Sequence, residues 1–315
     1  MEEVLITTPT FAKYSDRAVK ILQDAGLKVV RVKHPINDDN EIINYLGNTV
    51  AIIAGLEPIT EKVINSAKNL KVIAKHGIGV DNIDLNAARQ RNVVVANAPG
   101  TNCEAVADLV FGLALSLARK IPEANNIVRS GQWPKMIGHS VWGKTIGIIG
   151  LGAIGRSVVR RAHGFNMTIL GYDICYDQNF IRSENVEIVS IDELLRESDF
   201  ITIHIPLNDS TRNLIGLAEL KIMKPTAYLI NTSRGGIVNE QELYEALKNG
   251  YIAGAALDVF EKEPPIGCPL LTLPNVIATP HMGGYTDQAL NLTSEYTAKV
   301  VLDVLNGRRP ESAIT

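Results

Sequence analysis

Residues 144–173 read KTIGIIGLGAIGRSVVRRAHGFNMTILGYD, and this stretch decides the fold. Residues 145–149 form an apolar run with the length of a buried strand, and it leads directly into Gly150-Leu151-Gly152-Ala153-Ile154-Gly155. A helical pattern follows, with Val158, Val159 and Ala162 on one face, and a second apolar run leads to Asp173. The order strand, glycine turn, helix, strand, acid predicts a dinucleotide-binding βαβ unit.

Each glycine of this stretch has a physical reason to be there. Gly150 permits a tight turn, Gly152 lets the backbone approach a pyrophosphate, and Gly155 lets the helix pack closely on the strand. The helix start offers free N–H groups and a partial positive charge to phosphates, from Ala153 and Ile154 among others. Asp173 follows Gly155 by 18 residues and is placed to accept from ribose hydroxyls. Because a carboxylate there repels a 2′-phosphate, we expect NAD rather than NADP as the cofactor.

The composition is that of an ordinary globular protein. The chain has 315 residues, 46% of them hydrophobic and 21% charged, with a net charge of −3. No basic block invites nucleic acid or an anionic membrane, and we expect neither partner. The three cysteines are far apart, no spacing suggests a metal site, and no secretion signal is recognisable, so we expect reduced thiols in a cytoplasmic protein without a metal.

Strands and helices alternate on both sides of the glycine stretch. Before it, strands are predicted at residues 4–7, 27–32, 50–54, 70–74 and 93–96, and after it at 187–189, 200–204, 226–231, 252–257 and 276–278. This alternation predicts an α/β protein with parallel, doubly wound sheets. Ser15, Thr60 and Asp84 are the expected N-caps of helices in the first part of the chain.

The predicted domains follow from breaks in this pattern. A breaker cluster at residues 97–100 suggests a hinge, and the last predicted helix, at about 285–306, lies outside the alternation. We therefore predict a substrate domain made of residues 1–98 and 285–315, and a Rossmann NAD-binding domain of residues 99–284 inserted into it. A long apolar helix at about 102–119 is compatible with an interface between subunits and equally with the core of its own domain.

Three patches at strand ends carry residues able to do chemistry. The first, Asn231-Thr232-Ser233-Arg234-Gly235-Gly236, places an arginine among small residues beyond a strand, where ligands bind in open α/β sheets. Its guanidinium offers a fork of donors to a carboxylate. A cation near a helix start is otherwise unfavourable, which favours a functional role.

The second and third patches supply acids and a histidine. Asp258 ends an apolar strand, where it is placed to accept from a nicotinamide carboxamide, and Glu263 precedes a pair of prolines. His281 follows Pro280 at another strand end and precedes Gly283 and Gly284. A histidine in this setting is a candidate proton donor.

Taken together, these motifs resemble the D-isomer-specific 2-hydroxyacid dehydrogenase family. The likeness covers nearly the whole chain, through residues 75–84 (KHGIGVDNID), 147–155, 231–236, 258–264 and 280–284. It implies two doubly wound domains, of which the substrate domain is flavodoxin-like, and homodimers joined through the cofactor domains. It also implies a catalytic arginine at Arg234, a glutamate at Glu263 and a histidine at His281.

The resemblance further implies how ligands are held. The carboxylate of a 2-oxo acid would be bound by Arg234 and by the backbone N–H groups of Ile78 and Gly79. His281 would pair with Glu263, which holds it in its charged form. It would then protonate the carbonyl oxygen as NADH gives its hydride. Lys75 is a further candidate ligand of the substrate. The predicted cofactor ligands, including those already described, are Gly150, Gly152, Ala153, Ile154, Gly155, Asp173, Pro206, Thr232, Ser233, Arg234, Asp258, His281, Gly283 and Gly284.

The substrate stays open at this stage. The N-terminal half is most similar to phosphoglycerate-dehydrogenase-type chains, which favours 3-phosphoglycerate and 3-phosphohydroxypyruvate. However, residues 54–58 (AGLEP) hold no arginine for a phosphate. We also expect no serine-sensing regulatory domain of the kind that many phosphoglycerate dehydrogenases carry. Hydroxypyruvate, glyoxylate or a sulfonated analogue such as sulfopyruvate would use the same three residues. A different class, the NAD(H)-binding corepressors that share this fold, also retains them.

Overall fold

The computed structural model describes residues 1–34, 36 and 38–315. The chain divides into two compact units. The first unit contains Met1–Asn102 and Gly284–Thr315, and the second contains Cys103–Gly283. The chain therefore leaves the first unit once and returns to it for its last segment.

The first unit alternates strands with helices. In chain order these are β1 (Glu3–Ile6), α1 (Arg17–Asp24), β2 (Lys28–Arg31), α2 (Asp39–Ile43), β3 (Thr49–Ala54), α3 (Glu61–Ser66), β4 (Val72–Lys75), α4 (Leu85–Gln90) and β5 (Val94–Ala96). The strands pair in parallel in the order β2-β1-β3-β4-β5. This is the flavodoxin-like order, and it confirms the predicted doubly wound fold.

Both faces of this sheet are covered, and the sequence of its central strands shows why. All six residues of β3 and all four of β4 are buried. A strand covered on both faces has no polar face, so apart from Thr49 and Lys75 at the strand ends these residues are all apolar. One core packs β3 and β4 against α3 and α4, and the other packs the opposite face against α1 and the final helix.

Side-chain caps fix several helix starts. Thr60 accepts from Val63 N, and Asp84 accepts from Asn86 N and Ala87 N, so both predicted caps are confirmed. The prediction of Ser15 as the cap of α1 is wrong. Asp16 occupies that position without a side-chain cap, while the Ser15 hydroxyl accepts from Arg17 N at 3.4 Å.

The second unit begins with two helices and continues as a second βα alternation. Its elements are α5 (Cys103–Ala118), α6 (Ile121–Arg129), β6 (Thr145–Ile149), α7 (Ala153–Gly164), β7 (Thr168–Tyr172), α8 (Gln178–Ser183), β8 (Glu187–Ile188), α9 (Ile191–Glu197), β9 (Phe200–Ile203), α10 (Leu217–Ile222), β10 (Tyr228–Asn231), α11 (Glu240–Lys248), β11 (Gly254–Leu257), a 3₁₀ helix (Pro269–Thr272) and β12 (Val276–Ala278). The last helix of the chain, α12 (Asp287–Leu305), belongs to the first unit.

The strand order of the second sheet places the predicted site residues along one edge. The order is β12-β11-β10-β9-β6-β7-β8, with parallel pairing throughout. The connection reverses direction between β6 and β9, which is the switch point where dinucleotides bind in this fold. The segments after β6, β7, β9, β10, β11 and β12 all leave the sheet at the same edge, and these segments hold the predicted cofactor residues of this unit.

The apolar face of α5 is used inside its own unit. Val110, Phe111, Leu113 and Leu117 are buried in a core formed with β6, β7, β10 and α7. The stripe that the sequence left open between core and interface therefore belongs to the core. Within the described residues, no helix combines the length and apolar character needed to cross a membrane.

Candidate active site

Two of the three glycines in the turn after β6 are required by packing. Gly150 has φ +100°, and a Cβ there would lie 2.6 Å from the carbonyl oxygen of His204. A Cβ on Gly155 would lie 2.0 Å from the carbonyl oxygen of Gly150. Any side chain at either position would push the turn away from the strand or the helix that it joins.

The third glycine faces open space at the start of α7. Gly152 is the N-cap of this helix, and a Cβ there would meet no atom within 4 Å. In the described part of the chain, the N–H groups of Ala153 and Ile154 donate to no acceptor. Free N–H groups at a 12-residue helix start form an anion site, and this geometry fits a pyrophosphate.

Asp173 lies at the end of β7, beside the same turn. Its Oδ2 accepts from Leu151 N at 2.7 Å, and its Oδ1 accepts from Cys175 N at 3.1 Å. A carboxylate has about four lone-pair positions, so each oxygen keeps capacity for a further donor. The backbone thus fixes the acid next to the phosphate-binding turn, where ribose hydroxyls of a dinucleotide would donate to it.

The segment after β10 is folded around the side chain of Asn231. The Asn231 amide donates to the carbonyl oxygen of Arg234 at 2.9 Å, and its Oδ1 accepts from Ser233 N and from the Ser233 hydroxyl. Arg234 donates through Nη1 to the carbonyl oxygen of Ser233 at 2.7 Å. The hydroxyl of Thr232 is buried and has no partner among the described residues, which leaves a polar group for a ligand to satisfy. Pro206, after β9, is exposed.

A close backbone contact joins this segment to the one after β11. A Cβ on Gly235 would lie 2.0 Å from the carbonyl carbon of Phe260 and 2.3 Å from Glu261 N. Only glycine permits this approach, and it brings the segment carrying Arg234 against the segment carrying Glu263. This role of Gly235 was not predicted from the sequence, where its position directly after Arg234 was the available signal.

Glu263 and His281 form a hydrogen-bonded pair. Glu263 Oε2 lies 2.8 Å from His281 Nδ1, and Oε1 accepts from Phe260 N at 3.2 Å. Burial raises the pKa of Glu263. The opposite effect is larger and comes from the hydrogen bond and charge of His281, the Phe260 N–H and the charge of Arg234, so the pKa of Glu263 lies below its usual value. The pair leaves the second ring nitrogen of His281, Nε2, to exchange a proton with a bound molecule.

Asp258 holds the histidine in place. This carboxylate is 1% exposed. Its Oδ1 accepts from the Thr279 hydroxyl at 2.6 Å and from Met282 N at 2.9 Å, and its Oδ2 accepts from Gly283 N at 2.8 Å. Its backbone carbonyl accepts from His281 N at 2.9 Å. Asp258 was predicted only as a nicotinamide ligand; the structure adds this organising role, in which Thr279 takes part.

His281 itself has an unusual backbone conformation. Its φ is +51°, in the left-handed region where residues other than glycine are uncommon. The contacts with Asp258 over-determine this conformation, as is typical of functional positions. Gly283 is close to Asp258 Oδ2, and Gly284 packs against Asn102 in the first unit.

In the first unit, the loop after β4 presents two free donors. Within the described residues, the N–H groups of Ile78 and Gly79 donate to no acceptor, while Asn97 holds this loop by donating to the carbonyl oxygen of Ile78 at 2.7 Å. Consecutive free N–H groups beyond a parallel strand suit a carboxylate.

Lys75, a predicted substrate ligand, is a buried cation at the end of β4. It is 3% exposed, and its ammonium donates to the carbonyl oxygen of Gly55 and, at 2.6 Å, to Asn82 Oδ1. Asn82 in turn donates to the carbonyl oxygens of Gly55 and Glu57. Lys75 therefore ties the loop after β3 to the loop after β4, and its role in substrate binding stays a prediction.

The fold and site define a class of protein, the NAD-dependent oxidoreductases, because a dinucleotide-binding turn and a histidine–carboxylate pair lie at the carboxyl edge of one parallel sheet. A model of the family described as "D-isomer specific 2-hydroxyacid dehydrogenase, NAD binding domain" matches residues 111–283. The chain belongs to this family.

Named relatives agree with this assignment. A D-3-phosphoglycerate dehydrogenase of Methanocaldococcus jannaschii is 41% identical over 317 residues, and the match covers 100% of this chain and 59% of that protein. A glyoxylate reductase of Korarchaeum cryptofilum is 42% identical over 281 residues, covering 87% of this chain and 85% of that protein. The crystal structure of the TT0316 protein from Thermus thermophilus superposes with a TM-score of 0.90 at 34% identity, over 99% of this chain and 100% of that one.

Proposed function

We propose that this chain transfers a hydride between NAD(H) and a small D-2-hydroxy acid or its 2-oxo acid. The observation that carries the proposal is the Glu263–His281 pair, held by Asp258 at the edge of the NAD-binding sheet. Family membership and the names of the relatives support it. Bound NADH supplies the hydride in the reducing direction.

The residues of the chain then have distinct tasks. His281 donates the proton from Nε2 to the oxygen of the carbonyl group, while Glu263 keeps the opposite nitrogen paired and the ring oriented. Arg234 stabilises the negative charge of the substrate carboxylate and of the developing alkoxide. The free N–H groups of Ile78 and Gly79 are further carboxylate ligands. In the oxidising direction, neutral His281 accepts the proton of the hydroxyl group.

The proposed substrates are small 2-oxo acids, and the family and the names of the relatives support this class of compound. The group to examine comprises glyoxylate, hydroxypyruvate, pyruvate, 3-phosphohydroxypyruvate and sulfopyruvate. All share a 2-oxo acid head, for which the three catalytic residues are suited, and they differ in the distal group. Asp173 supports NADH over NADPH as the reductant.

The test is NADH oxidation by the purified chain against these acids, with His281→Ala as the control. General acid catalysis contributes about 10²–10⁴ in rate, so the variant should lose at least about 100-fold in kcat while NADH binding, followed by fluorescence, is kept. Loss of NADH binding together with turnover would make His281 a structural residue. Binding without turnover of any acid by the native chain would favour an NAD(H)-binding scaffold instead.

We also propose that the chain forms a homodimer through its second unit. Large apolar side chains are exposed along α6 and the segment that follows it: Ile121, Val128, Trp133, Ile137 and Trp142. Trp133 is 88% exposed and Ile137 86% exposed, and a row of such residues marks an association surface. Light scattering should give a dimer mass for the native chain and a monomer mass for Trp133→Glu/Ile137→Glu. A native monomer would contradict the proposal.

A further inference from the structure

The loop after β3 contains an acid folded back onto the edge of the first sheet. Glu57 Oε1 accepts from Gly55 N at 2.7 Å and from the hydroxyl of Thr7, a residue with no solvent exposure. Gly55 makes room for this arrangement, since a Cβ there would lie 2.8 Å from Glu57 Oε2 and 2.7 Å from Thr8 Cβ. The carboxylate therefore occupies the Thr7 hydroxyl beyond β1 and the Gly55 N–H beyond β3.

This edge is the one where the first unit presents its free N–H groups. β3 pairs with β4, with Ala54 opposite Lys75, so the loop holding Glu57 and the loop holding Ile78 and Gly79 leave neighbouring strands. In open parallel sheets, ligands are bound by such adjacent loops at the carboxyl edge. A 2-oxo acid held at Ile78 and Gly79 would have its distal group beside the loop of Glu57.

The chemistry at this position is unsuited to a second anion. A phosphate dianion requires cations or several free N–H groups. Here Gly55 N and the Thr7 hydroxyl are taken by an internal carboxylate, and the Lys75 ammonium donates to Gly55 and Asn82. In the described part of the chain, Glu57 Oε2 accepts no hydrogen bond, which leaves it available to a hydroxyl or ammonium donor.

We propose that Glu57 is a specificity residue that excludes 2-oxo acids with an anionic distal group and accepts those whose distal group is absent, hydroxylated or cationic. The inference rests on the proposed dehydrogenase function. It places hydroxypyruvate and glyoxylate above 3-phosphohydroxypyruvate and sulfopyruvate as substrates. In this proposal the loop after β3 selects against a phosphate group and does not bind one.

The experiment compares kcat/KM for hydroxypyruvate and 3-phosphohydroxypyruvate, with glyoxylate as a substrate that has no distal group. The native chain should prefer hydroxypyruvate, and Glu57→Gln, which keeps an oxygen acceptor for Gly55 N and Thr7, should shift the ratio toward the phosphorylated acid at least about tenfold. The matched control is Glu61→Gln, which removes the same charge from an exposed position on α3 and should leave the ratio unchanged.

Two further measurements keep the outcome decisive. Raising the salt concentration should reduce the preference of the native chain for hydroxypyruvate over 3-phosphohydroxypyruvate, because salt screens the repulsion between Glu57 and the phosphate. Calorimetric titration of the NAD⁺ complex with D-glycerate and 3-phosphoglycerate gives the same comparison without turnover. Equal or tighter binding of the phosphorylated acid, native preference for 3-phosphohydroxypyruvate, or an unchanged ratio in Glu57→Gln would overturn the inference. Failure of glyoxylate and every other acid to react would instead count against the dehydrogenase function itself, and the titration would still decide the role of Glu57.

Discussion

Glu263 contacts His281 Nδ1 through Oε2 at 2.8 Å and the main chain of Phe260 through Oε1 at 3.2 Å. One oxygen of the carboxylate thus fixes the acid, and the other fixes the imidazole. The interaction is reciprocal: positive charge on His281 lowers the pKa of Glu263, and ionised Glu263 therefore stabilises the charged imidazole.

Glu263→Gln should move the alkaline limb of the pH profile for 2-oxo acid reduction to lower pH. Glutamine keeps an acceptor oxygen but loses the charge, so the proton leaves the imidazole more easily. A displacement of about one pH unit corresponds to about 1.4 kcal/mol of lost stabilisation. The measurement is kcat/KM against pH from about 6 to about 10.

The chain offers a matched control in a second histidine–glutamate pair. His163 Nε2 lies 3.2 Å from Glu184 Oε2 on the surface of the second unit. Glu184→Gln makes the same chemical change away from the catalytic pair and should leave the profile unaltered. Identical profiles for both variants would show that Glu263 does not act on the proton of His281.

Asp258→Asn should destabilise the chain and lower kcat. The asparagine amide would turn an NH₂ group toward the Met282 or Gly283 N–H, leaving a buried donor without an acceptor at a cost of about 1–3 kcal/mol. The strained backbone of His281 would lose part of its support. Urea unfolding and steady-state kinetics measure the two effects.

Thr279→Val provides the graded comparison. It removes only the 2.6 Å hydrogen bond to Asp258 Oδ1 and keeps the shape of the side chain. The free energy of unfolding should fall by about 1 kcal/mol, the contribution of one hydrogen bond, and kcat should fall less than in Asp258→Asn. If Asp258→Asn were as stable and active as the native chain, the organising role of Asp258 would be wrong.

The sequence was sufficient for the fold because its signals are local. Apolar runs such as residues 50–54 mark strands buried on both faces, and Thr60 and Asp84 mark helix starts within a few residues of themselves. Parallel pairing then follows from the alternation of strands and helices. The same logic brings the ends of β10, β11 and β12, and therefore Arg234, Asp258 and His281, to one edge of a sheet.

Contacts between loops that are distant in sequence could not be predicted in this way. The approach of Gly235 to Phe260 and the turning of Glu57 onto Gly55 and Thr7 depend on how loops fold back, which no local pattern encodes. Lys75 shows the same limit, because its position before the glycine loop gave no sign of its hydrogen bonds to Gly55 and Asn82. The interface stripe on α5 was ambiguous because a core helix and an interface helix have the same apolar pattern.

Asp173→Asn should raise the use of NADPH relative to NADH. The amide oxygen can still accept from Leu151 N, so the turn is kept, and only the hydrogen bond from the exposed Cys175 is lost to the NH₂ group. The charge that repels a 2′-phosphate is removed. We expect the ratio of kcat/KM for NADPH to that for NADH to rise about tenfold, equivalent to about 1.4 kcal/mol.

The control for this variant is Asp192→Asn, at an exposed position in the first turn of α9. It changes the net charge of the second unit by the same amount. An equal rise in both variants would mean that overall charge, and not the position of Asp173, governs the choice of cofactor. No rise in either would remove the charge argument for NAD.

His76 should make the first unit less stable as the pH falls from about 6.5 to about 4. Its Nε2 lies 2.9 Å from the Ser294 hydroxyl, and that hydroxyl donates its own proton to the carbonyl oxygen of Leu290. The Nε2 of neutral His76 must therefore donate to Ser294, and Nδ1 accepts from the Thr10 hydroxyl. Burial, with the charge of Lys75 adding to it, lowers the pKa of His76 to about 4. Between pH 6.5 and about 4 the unfolded chain therefore binds more protons than the folded one, and the free energy of unfolding decreases as the pH falls.

His76→Gln removes this titration, and its urea-unfolding midpoint should fall less than that of the native chain across the same interval. Burial also lowers the pKa of His204, to about 3, so the native chain shows the sum of both histidines, and only the difference between native and variant reports on His76. His139→Gln, at an exposed position, controls for loss of any histidine and should follow the native curve. Parallel native and His76→Gln curves would mean that the neutral imidazole between Thr10 and Ser294 is not what resists protonation in the folded chain.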